Sequence, residues 1–357
     1  MFKKTGYLVS VLSLSVILAA CGGNDETGNE GNGNSNGKAE HDWRFTVEET
    51  QGQVQYVYAQ EFAELVKEKS DGAINIDVYE FGALGSEVDQ VEQLQQGIVE
   101  FAIISPGFTG TLVPEGNIFA LQFLFDDDQA LNQQVLNESE AINTHLAQKY
   151  EEQSIMPLAF WTEGAMQWTG SSAIQSPSDF EGFQMRTQES PLILRSYEAY
   201  GANPTAMSWS ELYTGLQQGA VDGQENPLFF IEDAGFHEVQ DHLTVSNHNM
   251  YVTMTTVNTD FYNDLDEETQ SIIDEAIDEM RERSFEIQEE QNGEALELIK
   301  NATDTPTDVY ELSEDEREEF RELAGDARDY FRENGGDDAE MILDMLMEEI
   351  EEAQENQ

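Results

Sequence analysis

Positive charge is what this 357-residue sequence lacks most, because it contains 16 Lys and Arg residues against 73 Asp and Glu, a formal net charge of −57. A surface this acidic repels nucleic acids and anionic membranes, so the sequence predicts no nucleic-acid partner. Such self-repulsion is tolerated where salt screens it, since the screening length falls to about 3 Å near 1 M salt. The composition therefore favours a salt-loving host. A calcium-binding protein is the alternative, but the acidic run 126–128 does not form a D-x-[DN]-x-[DN]-G loop.

Cysteine is almost absent as well, and the one copy, Cys21, excludes a disulfide framework. Two lysines precede an apolar stretch at residues 7–18, which runs into Leu-Ala-Ala-Cys21. This order is typical of a bacterial lipoprotein signal peptide, and the stretch is too short to span a bilayer. We predict a signal peptide at residues 1–21, lipidation of Cys21, and a lipid-anchored protein on the extracytoplasmic face of the cell membrane, periplasmic or cell-surface. An uncleaved buried helix with a chance cysteine is the alternative.

Enzyme signatures are missing too. From Asp42 onward, the sequence contains no G-x-S-x-G elbow, no phosphate-binding glycine loop, and no cysteine to act as a nucleophile. The clustered histidines His237, His242 and His248 match no metal motif, and a surface or capping role fits them better. The sequence therefore predicts a protein that is not an enzyme, with no catalytic residues, no cofactor and no metal.

Hydrophobic periodicity predicts two similar α/β lobes. In the first, apolar residues at helical spacing over 54–67 and from Ser86 alternate with strands at 74–78 and 98–104. In the second, strands at 155–160 and 183–187 precede a helix at 191–200 and a helix that begins with the capping-box pattern Ser208-x-x-Glu211. Strands alternating with helices indicate parallel sheets covered by helices.

The letters LQQG occur at the ends of two predicted helices, at 94–97 and at 216–219. In both places a glycine ends a helix and a strand comes next, which is the usual position for a helix-stopping glycine. The similar surroundings favour an internally duplicated architecture, although chance similarity between two short helix ends is the alternative. Only the second copy continues into the polar residues QENP, at 224–227.

A long amphipathic helix is predicted from Asp266, whose side chain is placed to cap it. The fold class predicted is α/β, a two-lobed fold like that of periplasmic binding proteins, with this helix spanning the hinge. The predicted segments are a signal peptide (1–21), a flexible Gly/Asn-rich tether (22–41), lobe I (42–163), lobe II (164–250), a return to lobe I with the long interlobe helix (251–292), and C-terminal helices (293–357).

Arg186 is conspicuous because residues 71–280 contain three basic residues in all, the others being Lys149 and Arg195. It lies at the carboxyl end of a predicted strand, where open α/β sheets bind ligands. A guanidinium there suits a bidentate contact with a carboxylate. A structural salt bridge with one of the many acidic neighbours is the alternative.

The run formed by Arg186, GANP at 201–204, LQQGAVDGQENP at 216–227 and LTVSNH at 243–248 resembles the DctP-type solute-binding proteins of TRAP transporters. The resemblance extends from Asp42 into the long helix. It implies a two-lobed protein that closes on a small organic acid and delivers it to TRAP membrane permease subunits. It also implies that Arg186 binds the substrate carboxylate and that Asn226 lies at the cleft.

The chain departs from many family members where they carry a second arginine, a position that Met166 matches here. That departure disfavours ligands needing two cationic contacts. The segments DWRFTVEE (42–49), FGALGS (81–86) and SPGFTGTLVP (105–114), together with Trp209, resemble the branch that binds ectoine and hydroxyectoine.

Ectoine is a zwitterion, with one carboxylate on a ring that carries a delocalised cation. The resemblance implies that Glu49 accepts hydrogen bonds from the ring nitrogens and that Phe108, Trp209 and Tyr251 form an aromatic box. Each aromatic face would contribute about 0.5–2 kcal/mol to holding a cation. The branch typically has phenylalanine at the position of Tyr251, so the extra hydroxyl bears on the choice between ectoine and its hydroxylated form.

The predicted function is capture of an ectoine-type zwitterionic compatible solute for a TRAP permease. One alternative keeps the family and changes the ligand to another small monocarboxylate or a C4-dicarboxylate. Others are an exported sensory binding module, and an exported enzyme that uses the same cleft.

Overall fold

The structure is a computed structural model that describes residues 39–356. The predictions for the signal peptide, for Cys21 and for most of the tether lie outside these residues. The strands are β1 (His41–Thr46), β2 (Ile74–Tyr79), β3 (Phe101–Ile104), β4 (Ile155–Ala165), β5 (Gln167–Gly170), β6 (Arg186–Thr187), β7 (Thr205–Ala206), β8 (Gly223–Asn226), β9 (His242–Val245), β10 (Met250–Asn258) and β11 (Asp308–Glu311).

The α-helices alternate with these strands in the order that the periodicity predicts for most of the chain. They are α1 (Val54–Lys69), α2 (Glu87–Gln95), α3 (Pro106–Thr109), α4 (Gln129–Glu138), α5 (Ala147–Glu151), α6 (Pro191–Ala199), α7 (Trp209–Gln218), α8 (Leu228–Asp233), α9 (Thr259–Asp264), α10 (Glu267–Asn301), α11 (Glu314–Asn334) and α12 (Ala339–Glu355).

Two larger sheets define the two lobes. The first-lobe sheet has the order β2-β1-β3-β10-β4, and the second-lobe sheet has the order β11-β9-β5-β8. In the first sheet β1 is parallel to β2 and β3, but β10 is antiparallel to β3 and β4. In the second, β9 is parallel to β11 and antiparallel to β5. Both sheets are therefore mixed rather than purely parallel, and in the first this arises because the chain returns from the second lobe to insert β10 between β3 and β4. The predicted two-lobed α/β class is confirmed.

The first-lobe core forms around aromatic side chains of β1 and β3. Phe45 and Phe101 are fully buried, and their ring centroids lie 5.8 Å apart. In the second lobe, Trp168 of β5 packs edge-on against Phe180 at 5.1 Å. Burying side chains of this size stabilises each lobe by about 1.5–3 kcal/mol per residue.

The chain crosses between the sheets over a very short distance, since Met166 alone separates β4 from β5. The long helix α10 packs against α1 and β4 of the first lobe and also against α8. Its Asn292 donates a hydrogen bond to the Glu163 carbonyl at 2.8 Å, next to this crossing. The helix therefore contacts both lobes beside the point where they join.

Helix ends differ from the prediction in two places. Helix α10 continues to Asn301 and so passes the predicted segment boundary at 292, because Gly293 keeps a negative φ and does not adopt the left-handed conformation that ends many helices. The expected capping box at Ser208 is incomplete: the Ser208 hydroxyl contacts the Glu211 carboxylate at 3.2 Å, but its side chain makes no capping hydrogen bond to the backbone of α7. Asp266 does cap α10, as predicted, by accepting from the Thr269 amide at 2.8 Å.

Candidate functional site

A cavity with about 300 Å³ of empty space, part of which is open to solvent, lies between elements of the two lobes. It contains five of the six predicted ligand-binding residues, and the sixth, Glu49, does not line it. The structure adds four residues that the sequence analysis did not select. The full lining is Glu48, Glu87, Phe108, Arg186, Gln188, Trp209, Asn226, Phe230 and Tyr251.

Arg186 supplies the positive charge of this cavity. It begins β6, is 3% exposed, and its Nε donates to the Met207 carbonyl at 3.0 Å. Burial lowers the pKa of the guanidinium. Among the described residues, its two terminal nitrogens have no hydrogen-bond acceptor, and Arg186 forms no ion pair. The Met207 contact therefore orients the guanidinium while leaving the pair of nitrogens that suits a carboxylate.

The carboxylate that reaches the cavity next to the predicted aromatic residues belongs to Glu48, one residue before Glu49. The two carboxyl oxygens of Glu48 share the single Ser105 N–H in a bifurcated hydrogen bond, each at 3.1 Å, and one of them also accepts from the Ser105 hydroxyl. Burial raises the pKa of Glu48 to about 8. This carboxyl group is thus held rigidly at the end of β3, and a cationic ligand would favour its ionised form.

Glu49 points away into the first lobe. Its Oε2 accepts from the Gln55 amide at 2.6 Å, and it neighbours the buried carboxyl of Glu163. Burial, and then the charge of Glu163, raise the pKa of Glu49 well above its usual range. Glu48 and Glu49 lie in an irregular segment after β1, where the two side chains point in different directions, so Glu48 lines the cavity and Glu49 does not.

Four aromatic rings line the cavity, and three of them were predicted. Trp209 is the first residue of α7, and its ring centroid lies 4.9 Å from that of Phe230 on α8. Phe230 in turn lies 6.0 Å from Tyr251 on β10. Phe108, on α3, lines the same cavity. Phe230 was missed, although its position in the apolar run directly after QENP was a usable signal.

Tyr251 and Gln188 also line a neighbouring compartment with about 410 Å³ of empty space, part of which is open to solvent. The Tyr251 hydroxyl lies 2.8 Å from the Ser105 hydroxyl and accepts from Gln188 Nε2 at 3.0 Å. Met166, which we expect to match the position of the second arginine of many relatives, lines this second compartment. Its side chain there is apolar and supplies no second cation.

Successive side chains of the QENP motif point to opposite sides of the strand. Asn226, the last residue of β8, is 4% exposed and reaches the cavity, where its amide donates to Gln224 Oε1. Glu225 turns the other way, to His248, with 2.7 Å between its Oε2 and the imidazole Nε2. The expected surface or capping role of His248 is wrong, because the ring is fully buried and also contacts the Ser246 hydroxyl at 2.7 Å. This buried contact fixes the strand that carries Asn226.

Within residues 39–356, no group of three or more His, Cys, Asp or Glu side chains is arranged to hold a metal ion. None of the helices in that range is long and apolar enough to cross a membrane. The chemical groups that line the cavity are one guanidinium, two carboxyl groups, two side-chain amides and four aromatic rings.

Comparison with known proteins gives a consistent result. The family model described as bacterial extracellular solute-binding protein, family 7 (DctP), matches residues 45–334. The ectoine-binding periplasmic protein TeaA of Halomonas elongata is 41% identical over 265 residues, covering 74% of this chain and 77% of that protein. The ectoine/5-hydroxyectoine-binding periplasmic protein UehA of Ruegeria pomeroyi is 38% identical over 234 residues, covering 66% and 68%.

The solved structures agree on the fold. The periplasmic ectoine-binding protein from the TeaABC TRAP transporter of Halomonas elongata superimposes with a TM-score of 0.84 at 38% identity, covering 87% of this chain and 99% of that one. A TRAP periplasmic solute-binding protein from Shewanella oneidensis, with bound succinate, superimposes with a TM-score of 0.79 at 25% identity, covering 87% and 99%.

Proposed function

This chain belongs to the DctP family of bacterial extracellular solute-binding proteins, and on that premise we propose that it captures a zwitterionic compatible solute of the ectoine type. It is the extracytoplasmic solute-binding component of a TRAP transporter and works with membrane permease subunits. The family and its structural neighbours are binding proteins rather than enzymes.

The main support for an ectoine-type ligand is that side chains of opposite charge line a single cavity whose walls are aromatic. Arg186 offers two unpartnered terminal nitrogens for a carboxylate, and Glu48 offers an acceptor for a cation. Trp209 and Phe230 provide ring faces on which a delocalised cation is favourable. A solute that carries one carboxylate and one cationic ring therefore satisfies the charges of both walls.

A C4-dicarboxylate fits the same cavity less well. Arg186 is the one cationic residue among the nine that line it, and Met166 lines the adjoining compartment. A second carboxylate would therefore face Glu48 and Glu87 without a counter-charge, at a cost that rises as water is excluded. A small monocarboxylate without a cation would leave the Glu48 side of the cavity unsatisfied.

Isothermal titration calorimetry of the purified protein with ectoine, 5-hydroxyectoine and succinate tests this proposal. We expect ectoine or 5-hydroxyectoine to bind at micromolar concentration or below, and succinate to give no heat at the same concentrations. Mass spectrometry of the solute released on denaturation checks the result independently. Binding of succinate without binding of either zwitterion would overturn the ligand while leaving the family unchanged.

We also propose that the mature protein is a lipoprotein held at the membrane by Cys21, with the segment between Cys21 and β1 as its tether. The support is the order of charged, apolar and small residues before that cysteine. The net charge of −57 further supports a salt-loving host, where a strongly acidic surface remains soluble and compact.

A further inference from the structure

Ser105 directly follows β3, is 1% exposed, and lines the compartment next to the ligand cavity. We propose that Ser105 is a positioning residue that sets the direction of hydrogen bonding at Tyr251, so that this tyrosine accepts a hydrogen bond from a bound solute and donates none. The solute group opposite Tyr251 must then carry an O–H or N–H, and a group that only accepts is disfavoured. The proposal deepens the binding function proposed above and rests on it for the choice of ligand.

Four polar side chains form a continuous chain across the cleft. The Ser105 hydroxyl contacts the Glu48 carboxyl group on one side and lies 2.8 Å from the Tyr251 hydroxyl on the other. Gln188, which follows β6 in the second lobe, donates from its Nε2 to the same tyrosine hydroxyl at 3.0 Å. The chain therefore connects the acidic wall of the cavity to the second lobe.

The number of hydroxyl protons fixes the direction of this chain when Glu48 is ionised. An ionised carboxyl group only accepts hydrogen bonds, and a serine hydroxyl has a single proton to donate. Because the Ser105 proton goes to Glu48, the contact between Ser105 and Tyr251 requires the tyrosine hydroxyl to be the donor. The Tyr251 oxygen then has no proton left for a bound solute.

The amide of Gln188 is oriented in agreement with this direction. Its Nε2 donates to Tyr251, while its Oε1 lies over Gly107, where a Cβ would come within 2.1 Å of that oxygen. If the nitrogen and oxygen of the amide were exchanged, the Tyr251 hydroxyl would face two acceptors with one proton. Since Tyr251 also lines the ligand cavity, it offers a solute there an acceptor and not a donor.

The direction depends on the charge of Glu48, and four charged or titratable side chains surround that group. Arg186 and Glu87 line the same cavity, and Glu49 and Glu163 lie on the first-lobe side. Burial is the largest cause that raises the pKa of Glu48, to about 8. A solute cation opposite Glu48 favours its ionised form and so selects the direction described above. Without a solute and below that pH, a protonated Glu48 donates to the serine and the chain is free to reverse.

The test compares the affinities of three probes, ectoine, 5-hydroxyectoine and the 5-methoxy ether of ectoine, by calorimetry. Ser105→Ala removes the acceptor of the Tyr251 proton, so the freed hydroxyl can donate to the ether oxygen. We expect the affinity for the ether, relative to that for ectoine, to rise about fivefold, because a net hydrogen bond is worth about 1 kcal/mol. The preference for 5-hydroxyectoine should change less, since its hydroxyl can both donate and accept. A ratio taken within one variant cancels any common effect of the substitution on folding.

Two further variants serve as controls. Ser105→Thr keeps a hydroxyl at this position and should retain the wild-type ratio. Thr109→Val removes a hydroxyl that is also 1% exposed and lies 3.0 Å from a tyrosine hydroxyl, that of Tyr150, but lines neither compartment. An unchanged ratio in Ser105→Ala, or an equal rise in Thr109→Val, would overturn the proposal.

A second measurement needs no ligand. Ultraviolet resonance Raman spectroscopy distinguishes a tyrosine hydroxyl that donates from one that accepts, and subtracting the spectrum of Tyr251→Phe isolates Tyr251. Burial raises the pKa of Tyr251 well above its usual range, so its hydroxyl stays protonated while Glu48 ionises.

As pH rises through about 8, we expect the Tyr251 hydroxyl to change from acceptor to donor in the wild-type protein, and to show no such change in Ser105→Ala. A wild-type spectrum that stays constant over this range would contradict the proposal. If none of the three probes binds wild-type protein, the proposed ligand is overturned and the Raman spectra alone decide the role of Ser105.

Discussion

The helix exits at residues 94–97 and 216–219 share four letters and nearly the same backbone, with φ of +65° at Gly97 and +67° at Gly219. The segments beyond the two exits differ. The first exit leads through β3 to Ser105 and Phe108, and the second leads through β8 to Asn226. The repeated residues build equivalent frames in the two lobes, and the residues after each frame reach the ligand cavity.

The charges of the two lobes differ as well. The first lobe contributes Glu48 and Glu87 to the cavity, while the second contributes Arg186 and the amide of Asn226. In the binding mode proposed above, a solute that carries both signs of charge would contact both lobes and so favour their closure. A solute with one sign of charge satisfies one wall and leaves the other without a partner.

The largest effect is expected when the positive wall is altered. Arg186→Lys should weaken ectoine binding about 100-fold, because an ammonium cannot reproduce two parallel hydrogen bonds to a carboxylate, each worth about 1.5–3 kcal/mol. Calorimetry measures the change. Arg195→Lys, at an exposed arginine paired with Glu198, is the matched control and should bind as wild type does. Nearly unchanged affinity in Arg186→Lys would remove Arg186 from the site.

An intermediate effect is expected when Glu48, on the acidic wall of the cavity, is replaced. It is measured as a change in how the free energy of unfolding depends on pH. Glu48 has a pKa of about 8 when folded, above the ordinary 4.5, so the folded protein holds this proton more tightly than the unfolded chain. Its contribution to stability is therefore complete below about pH 4.5 and is lost as pH rises toward 8. Between those values, Glu48→Gln should remove up to about 1.4 kcal/mol per pH unit from the slope of the unfolding free energy.

Urea unfolding of ligand-free protein at several pH values measures this slope. Burial also raises the pKa of Glu163 to about 7, and Glu49 shifts in the same direction, so part of the slope should remain in the variant. Glu92→Gln, at an exposed site, should leave the slope unchanged. Equal slopes in wild type and Glu48→Gln would show that Glu48 titrates normally.

The same comparison shows how much could be predicted from sequence. Arg186 and Asn226 were predicted because the scarcity of positive charge and a motif mark their positions, independently of how the lobes meet, although Arg186 begins β6 instead of ending a strand. Glu87 and Phe230 were missed because their place at the cavity depends on the approach of α2 and α8 to the other elements. Glu49 was selected in place of Glu48 because the direction of a side chain in an irregular segment depends on its contacts, here with Gln55 and Ser105.

The smallest effect is expected at Tyr251, where one hydroxyl joins the two walls. That hydroxyl contacts Ser105 of the first lobe and Gln188 of the second, so Tyr251→Phe removes both contacts. Only the contact with Gln188 joins the lobes, and a net hydrogen bond is worth about 1 kcal/mol, so we expect ectoine affinity to fall about fivefold.

Binding of 5-hydroxyectoine distinguishes a contribution of the Tyr251 hydroxyl from a contribution of the packing of its ring. We expect Tyr251→Phe to lower the affinity for 5-hydroxyectoine about fivefold more than that for ectoine, because the tyrosine hydroxyl offers the extra group a partner. Competitive titration of the two solutes measures the ratio, with Tyr56→Phe on α1 as the control. An unchanged ratio would mean that the Tyr251 ring, and not its hydroxyl, contributes to recognition, and selection between the two solutes would then depend on Glu48 and the other aromatic faces.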